Sequence, residues 1–254
     1  MATNTPRQIE AVQKTCRILE FLRDRGGAGV TEIAEELDIS KSVVHAHLAT
    51  LNDENLVVKD GHTYSLGLKF LDIAETVKNR VAKHEIVRDQ VRALAEDTGE
   101  VVHFGAEENG RIVYVAKSKG EAAVETASKV GKRMPMHSTS LGKAILAEFP
   151  EDSIDRIVEQ HGLPKQTERT ITDERRLHEE LDTTRKREYS IDDEENIPGV
   201  RCIGISVSAP EVGVLGALSI SGPSQRMTDE RIENELHEAI AQSANVIEVN
   251  SRYQ

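Results

Sequence analysis

The chain of 254 residues has little cysteine and no long apolar run. Its two cysteines, Cys16 and Cys202, fall in different predicted domains, which argues against a disulfide framework. No run approaches the roughly 18–20 apolar residues that a membrane helix needs, and the first residues lack the apolar core of a signal peptide. We therefore expect a cytoplasmic protein with no membrane partner.

Motifs for cofactors, nucleophiles and metals are absent as well. The sequence contains no G-x-G-x-x-G, no Walker loop and no nucleophile elbow. It also lacks the H-x-x-x-H and C-x-x-C pairs that are typical of metal sites. We therefore expect neither an enzyme nor a bound cofactor or metal. The weak alternative is a metal bound by Cys202 together with His137 or His103.

Positive charge is scarce relative to negative charge. The chain has 32 Lys and Arg against 44 Asp and Glu, a formal net charge of −12, and residues 1–65 have 7 against 10. Affinity for a polyanion by phosphate neutralisation alone is therefore not expected. Two explanations stay open. The acidic side chains lie solvated on faces away from any partner, or they adapt the surface to a salty cytoplasm.

Residues 30–66 have the pattern of a winged helix-turn-helix. Thr31 is suited to cap a short helix, and a tight break follows, after which Ser40 can cap a second helix from Lys41. Two further apolar runs around an Asp-Gly turn at residues 60–61 predict a small hairpin, the wing. A module of this kind places its second helix in the major groove of DNA.

The first turns of such a recognition helix approach base edges, so their side chains are candidates for DNA contact. Ser42 and His45 lie three apart on one face and can read bases, whereas Lys41 suits phosphate or guanine. The wing and the start of the preceding helix can reach the DNA backbone. The predicted DNA-binding set is Thr31, Ser40, Lys41, Ser42, His45, Ala46, Thr50, Lys59 and His62. For His45 the alternative is an ordinary surface position.

The remaining chain alternates helical and strand-like patterns. Helices are predicted over residues 9–25, 67–81, 86–97, 138–149, 151–161, 173–188 and 229–250. Strands are predicted over 101–105, 111–116, 122–129, 200–208 and 214–221, with hairpin turns at 108–110 and 210–213. Hairpins rather than crossovers favour an α+β domain on an antiparallel or mixed sheet. On the first helix, Cys16 is expected to pack as a small core residue.

The segment before residue 138 leads directly into a predicted helix. A helix N-terminus has free N–H groups and partial positive charge, so it favours an anion. Ser138 and Thr139 would add hydroxyl donors, and Met136 would supply an apolar wall. The alternative for Ser138 is a purely capping role.

Two serines further along the chain point to the same chemistry. Ser219 and Ser221 alternate on one predicted strand, so their hydroxyls share a face, and a bound carboxylate would satisfy both. Cys202 can line the same cavity, with Asp192 at its mouth. The alternatives are hydrogen bonds from the serines to the backbone and a plain core role for Cys202.

Three segments together resemble the IclR family of bacterial and archaeal transcription regulators. They are LDISKSVVHAHLATL at 37–51, GKRMPMHSTSLGKAILA at 131–147, and DDEENIPGVRCIGISV at 192–207 with GALSISGP at 216–223. The resemblance covers about residues 9–249 and implies an α+β protein of two domains. It implies a winged helix-turn-helix at 1–66, a linker helix at 67–82 and a GAF-like effector-binding and oligomerisation domain at 83–254. Family recognition helices often have Arg where this chain has Ala46, and a hydrophobic residue where it has His47.

The resemblance also implies which side chains touch a small organic acid. Together with the helix-start residues, the predicted effector-binding set is Met136, Ser138, Thr139, Asp192, Val200, Cys202, Ser219 and Ser221. We expect a homodimeric or tetrameric regulator that binds operator DNA, controls a metabolic operon and senses an organic or sugar acid. Two alternatives are a DNA-binding module whose C-terminal domain only oligomerises, and a hydrolase that uses Ser138 and His137.

Overall fold

The computed structural model describes residues 7–78, 84–124, 128–209 and 212–251. The chain divides into two compact units, Met1–Val77 and Lys78–Gln254. The elements of the first are α1 (Glu10–Arg25), β1 (Ala28–Gly29), α2 (Val30–Leu37), α3 (Lys41–Asp53), β2 (Val57–Asp60), β3 (Thr63–Leu66) and α4 (Lys69–Lys78). Its three strands form an antiparallel sheet in the order β1-β3-β2.

The predicted winged helix-turn-helix is confirmed in the first unit. Asp38 ends α2 in the left-handed conformation, and the Ser40 side chain caps α3 by accepting a hydrogen bond from the backbone N–H of Val43 at 3.4 Å. The core residues of the three helices and the wing are Ile18, Leu22, Ile33, Val44, Leu48, Leu51, Val57 and Tyr64. The wing is the β2–β3 hairpin, and Gly61 in its turn has a φ of +56°.

Two expectations for this unit are wrong. Cys16 is exposed because the buried residues of α1 are Ile18 and Leu22, and Cys16 lies on the opposite side of the helix. Thr31 is not a cap, because α2 already begins at Val30 and Gly29 occupies the cap position without a side chain to bond. The predicted linker helix is represented by α4, which buries none of its residues, and residues 79–83 lie outside the described residues.

The second unit is a six-stranded antiparallel sheet with helices on both faces. Its elements are α5 (His84–Thr98), β4 (Val101–Glu108), β5 (Arg111–Lys119), β6 (Arg133–Pro135), α6 (Ser140–Glu148), α7 (Glu151–His161), α8 (Glu174–Arg187), β7 (Ser190–Asp193), β8 (Val200–Ala209), β9 (Gly213–Pro223), α9 (Asp229–Arg231), a π-helical turn (Ile232–Leu236) and α10 (His237–Ser251). The strand order is β6-β5-β4-β9-β8-β7. This α+β architecture is the predicted one.

Alternation along the strands separates two cores. Phe104, Ile203 and Leu218 pack with α5 and α10 on one face of the sheet. Ile112 and Ala217 pack with α6, α7 and α8 on the other face. The side chains that come from β4, β7, β8 and β9 to this second face, close to the start of α6, are polar, and they form the candidate site.

Three details of the second unit differ from the expectations. The predicted strand at 122–129 has no strand residue in its described part, since residues 121–122 form a turn, and residues 125–127 lie outside it. The strand in this region is β6, at Arg133–Pro135. Helix α6 is capped by Thr139 and not by Ser138. A strand that the sequence did not predict, β7, closes the sheet beside β8.

Among the described residues, every helix is too short or too polar to cross a membrane.

Candidate functional site

A small cavity of about 30 Å³ lies between the start of α6 and the polar face of the sheet. We call it the central cavity. It is lined by His103, Tyr114, Ser128, Thr139, Ser140, Leu141, Asp192, Asn196, Ile197, Val200, Cys202, Ser219 and Ser221. A single water needs about 10–15 Å³ by the same measure, so the cavity has room for two or three waters or a compact group of a few atoms.

The strand register explains why these side chains meet. Ser221 on β9 lies opposite Cys202 on β8, and Cys202 lies opposite Asp192 on β7, so the three form one row across the sheet. In the neighbouring row, His103 on β4 lies opposite Ser219 on β9. Residues that face each other in antiparallel strands point to the same side, and the two rows therefore form the floor of the central cavity.

The start of α6 forms the opposite wall. The Thr139 hydroxyl accepts a hydrogen bond from the backbone N–H of Gly142 at 3.1 Å and donates to the carbonyl of Pro135 at 3.0 Å. The N–H groups of Ser140 and Leu141 precede those that the helix itself uses. Together with the helix dipole, they make this wall a place where a negatively charged group is stabilised.

Two glycines allow the helix to lie so close to its neighbours. A Cβ at Gly142 would collide with the backbone of Met136. A Cβ at Gly204 on β8 would lie 2.7 Å from the carbonyl group of Ser140. The Ser190 hydroxyl donates to that same carbonyl at 2.6 Å. The start of α6 is therefore fixed both to the sheet and to the segment before it.

Asp192 is the acidic group of the cavity floor. It is only 2% exposed, so it is not at the mouth of the cavity as predicted. Its Oδ1 accepts hydrogen bonds from the backbone N–H groups of Glu195 at 2.8 Å and Asn196 at 3.3 Å. Burial raises the pKa of Asp192 to about 7, although the Lys143 ammonium opposes this shift. Burial also raises the pKa of the adjacent Cys202 thiol, so the thiol stays protonated.

An aromatic wall, which the sequence did not predict, closes the side of the cavity near β4 and β5. The rings of His103 and Tyr114 stack with their centroids 4.6 Å apart, and His103 Nε2 lies 2.9 Å from the Ser128 hydroxyl. Burial, with a contribution from the nearby Lys117, lowers the pKa of His103 to about 3. The imidazole is therefore neutral. His103 lies opposite Ser219, which is predicted to bind an effector, but one sequence does not reveal this strand register and so does not predict His103.

The structure brings together six of the eight residues predicted to bind an effector: Thr139, Asp192, Val200, Cys202, Ser219 and Ser221. Met136 and Ser138 are not among the lining residues. Met136 is buried beside a separate small cavity with His137, because the chain crosses α6 at Gly142 and carries both side chains to the far side. Ser138 is fully buried, and its hydroxyl has no hydrogen-bond partner among the described residues.

The arrangement that a hydrolase would need is not formed by Ser138 and His137. His137 Nε2 lies 3.2 Å from the carbonyl oxygen of Pro164, and burial lowers the pKa of this histidine. The two residues therefore do not form a nucleophile–base pair. The metal alternative would pair Cys202 with His137, which lies at a separate cavity, or with His103, which lines the central cavity together with Cys202. Within the described residues, the one trio of possible metal ligands lies elsewhere, on α7 and α8: the exposed Asp155 and Glu174 and the half-buried His178.

The nine residues predicted to contact DNA are all exposed. Lys41, Ser42, His45 and Ala46 lie in the first turns of α3, opposite the buried residues of that helix. The wing contributes Lys59, whose ammonium lies 5.5 Å from the centre of the Tyr64 ring, and His62 in the turn. His47, by contrast, is half-buried, with Nδ1 lying 2.8 Å from the Thr15 hydroxyl. DNA contact by the nine residues stays a prediction.

The cations of the first unit differ in whether they are already bonded to other groups of the protein. Arg25 pairs with Glu36, and Arg17 donates to the carbonyl of Leu37 at 2.7 Å. Lys41 and Lys59 form no ion pair within the part of the chain that the structure describes. The two cations on the predicted DNA-facing surface are therefore available for phosphate, despite the acidic balance of the unit.

Comparison with known proteins gives consistent results over both units. The model of the bacterial transcriptional regulator IclR C-terminal domain matches residues 77–249, and that of the IclR helix-turn-helix domain matches residues 11–61. A probable HTH-type transcriptional regulator, ArcR of Halobacterium salinarum, is 30% identical over 96% of this chain and 94% of its own length. The HTH-type transcriptional regulator KdgR of Escherichia coli is 33% identical over 90% and 88%. The crystal structure of Thermotoga maritima IclR covers 97% of this chain and 100% of its own, with 30% identity and a TM-score of 0.82.

Proposed function

The chain belongs to the IclR family of transcriptional regulators, and from that premise we propose that its central cavity binds a small carboxylate which controls DNA binding. The first unit would bind operator DNA through α3 and the wing, in the cytoplasm. The second unit would sense a metabolite of the operon that the protein regulates. A ligand shifts the balance between two states of the protein only by its difference in affinity for them.

The observation that carries this proposal is the combination of a helix N-terminus and hydroxyl groups around one cavity. Six hydroxyl-bearing residues line it, from Tyr114 on β5 to Ser221 on β9. The N–H groups at the start of α6 suit a carboxylate, and the hydroxyls suit the oxygen atoms of a hydroxy or keto acid. An apolar effector would leave the N–H groups at the start of α6 without partners, which costs free energy.

Asp192 defines the pH range in which such a ligand binds best. Below about pH 7 its carboxyl group is largely protonated and can donate a hydrogen bond to a ligand carboxylate. Above that pH, two buried negative charges would face each other. We therefore expect affinity for a monoanionic acid to fall as the pH rises through 7.

A thermal-shift screen of the full chain tests the proposal. Pyruvate, which is compact, and the larger gluconate and 4-hydroxybenzoate, which require the central cavity to widen, are compared with glucose, which has hydroxyls but no carboxylate. At least one of the acids should raise the melting temperature, and the Ser219→Ala/Ser221→Ala variant should lose that effect. Ser206→Ala removes a hydroxyl that bonds Glu148 outside the central cavity, and it should behave like the wild type. Loss of the shift in both variants, or in neither, would count against the central cavity as the binding site.

We also propose that the protein is a homodimer through α4. Leu68, just before the helix, is 81% exposed, and Leu71 and Val77 on the helix are 67% and 50% exposed. An amphipathic helix with its apolar side chains in water is typical of an interface between chains. Leu71→Glu should give a monomer in light scattering. If Leu71→Glu has the same mass in solution as the wild type, α4 does not form the interface.

A further inference from the structure

The loop at residues 194–199, between β7 and β8, provides part of the wall of the central cavity. Asn196 and Ile197 in this loop are lining residues. Glu194 begins the loop with a φ of +60° and Gly199 ends it with a φ of +76°. Both values lie in the left-handed region, which glycine adopts freely but glutamate does not, so other contacts must stabilise the loop at Glu194.

Glu195 is the buried attachment of the loop to the rest of the unit, beside contacts of Glu194 with Thr167 at 2.8 Å and of Gly199 with Ser224 at 2.9 Å. Its backbone N–H donates to Oδ1 of Asp192 at 2.8 Å, and its carbonyl oxygen accepts from the Thr170 hydroxyl at 2.6 Å. Its side-chain oxygen Oε1 accepts a hydrogen bond from the Lys143 ammonium. The second oxygen, Oε2, is buried and has no hydrogen-bond partner among the described residues. The carboxylate is therefore fixed by Lys143.

Lys143 itself lies one turn beyond the start of α6 and is only 1% exposed. A buried ammonium is stable only when it is paired, and here it pairs with Glu195 and lies 3.6 Å from Glu180 on α8. Glu180 is bonded in turn to Arg187 at 2.7 Å. Lys143 therefore joins three elements: the helix that forms one wall of the cavity, the loop that forms another, and α8 behind them.

We propose that Lys143 is a positioning residue for the effector: it does not line the central cavity, but it fixes the loop at residues 194–199 through Glu195. This inference rests on the proposed function of the central cavity. Asp192 links the loop to ligand binding, because its Oδ1 accepts a hydrogen bond from the loop while its Oδ2 lies 3.8 Å from Sγ of Cys202 in the floor of the central cavity. A ligand that accepts a hydrogen bond from Oδ2 of the protonated Asp192 pulls on the same carboxyl group that bonds the loop through Oδ1. The Lys143–Glu195 pair then determines how easily the loop moves when the ligand binds.

Hydrogen–deuterium exchange of the full chain tests the role of Lys143 without an effector. Lys143→Met alone leaves Glu195 buried and charged, so it should mainly lower the melting temperature. Lys143→Met/Glu195→Gln removes both charges and should recover much of that loss. In the double variant the amides of residues 194–197 and 199 should exchange about tenfold faster than in the wild type, since a thioether cannot replace the hydrogen bond that the ammonium donates to Glu195. Amides of β9 should not change.

Glu180→Gln is the matched control, because it alters the other partner of Lys143 and leaves the loop contact in place. It should show wild-type exchange at residues 194–199. A double variant with recovered melting temperature and wild-type exchange would overturn the inference, since Lys143 would then serve only to neutralise charge.

Titration calorimetry adds the functional readout. The acid that gives the largest thermal shift among pyruvate, gluconate and 4-hydroxybenzoate should bind the double variant about tenfold more weakly than the wild type. Equal affinity together with fast loop exchange would also contradict the inference. If the wild type binds none of the three acids, the proposed function fails, whereas the exchange experiment still decides whether Lys143 positions the loop.

Discussion

The sulfur of Cys202 lies 3.8 Å from Oδ2 of Asp192, where the two side chains sit opposite each other on neighbouring strands. Both groups are acids, and burial raises the pKa of each. The floor of the central cavity is therefore close to neutral at slightly acidic pH and gains a negative charge as Asp192 ionises. This charge is unfavourable for folding, since it develops in a buried site.

The pH dependence of stability should consequently change in Asp192→Asn. The folded-state pKa of about 7 lies above the ordinary value of 3.8. Between these values the folded chain binds more protons than the unfolded chain, so this group's contribution falls as the pH rises from 4 to 7. Asp192→Asn removes the loss, which amounts to at most about 4 kcal/mol. Urea unfolding at pH 4 and pH 8 measures most of it. Asp193→Asn, a half-exposed neighbour, should keep the wild-type slope, and an identical slope in Asp192→Asn would contradict the raised pKa.

Gly142→Ala should destabilise the second unit strongly. The added methyl group would collide with the backbone of Met136, which cannot yield as a flexible side chain would. Overpacking of this kind costs about 1–3 kcal/mol or more. Thermal unfolding measures the loss. Gly29→Ala is the control: its Cβ meets nothing closer than 3.4 Å, so it should cost only the roughly 1 kcal/mol or less that alanine costs at a helix cap. A melting temperature for Gly142→Ala equal to that of the wild type would mean that the helix and the preceding segment can separate at little cost.

His45→Ala should weaken specific DNA binding without unfolding the first unit. His45 is exposed in the first turns of α3, and loss of a base contact costs about 1–3 kcal/mol. The measurement is fluorescence anisotropy with the DNA upstream of the gene, at fixed salt. His47→Ala is the control: it removes the contact with Thr15 and should lower the melting temperature more than His45→Ala does. Unchanged affinity and specificity in His45→Ala would show that this histidine reads no base.

Stability should increase with potassium chloride. With a net charge of −12, the acidic side chains repel one another. Salt screens this repulsion, since the Debye length falls from about 10 Å at 0.1 M salt to about 3 Å at 1 M. Urea unfolding in dilute buffer and in molar KCl measures the effect. Equal stability in the two would exclude adaptation to a salty cytoplasm and leave solvated acidic faces as the explanation.

Local signals predict the parts of the fold that depend on neighbours in sequence. The Ser40 cap, the turn at Gly61, and helices α7 and α8 all follow from short-range patterns. Strand β7 does not, because its residues are Ser-Ile-Asp-Asp and it exists only through pairing with β8. Similarly, the sequence favours a buried Cys16 because the apolar residues of α1 allow two helical faces, and only packing selects the one through Ile18.

The candidate site is predictable on its sheet side and less so on its helix side. Ser219 and Ser221 share a face by strand alternation alone. Met136 and Ser138 are predicted because they precede a helix, but the cap is one residue later, and the crossing at Gly142 turns Met136 away. To predict His103 as part of the site, one must know which strands pair. The buried Lys143 requires knowledge of its acidic partners, which lie 37 and 52 residues further along the chain.

The π-helical turn at Ile232–Leu236 has a consequence for how the length of the last helix can vary. The core residues of this helix are spaced by four, at Ile232, Leu236, Ile240 and Ala244, and then by three, to Ile247. A regular α-helix would rotate such a stripe away from the sheet, and the wider turn corrects the rotation. Deletion of one residue within 233–235 would convert the spacing to three, four, four and three, which an α-helix accommodates without the wide turn. The last helix can thus lose a residue at this point while its apolar face stays on the sheet.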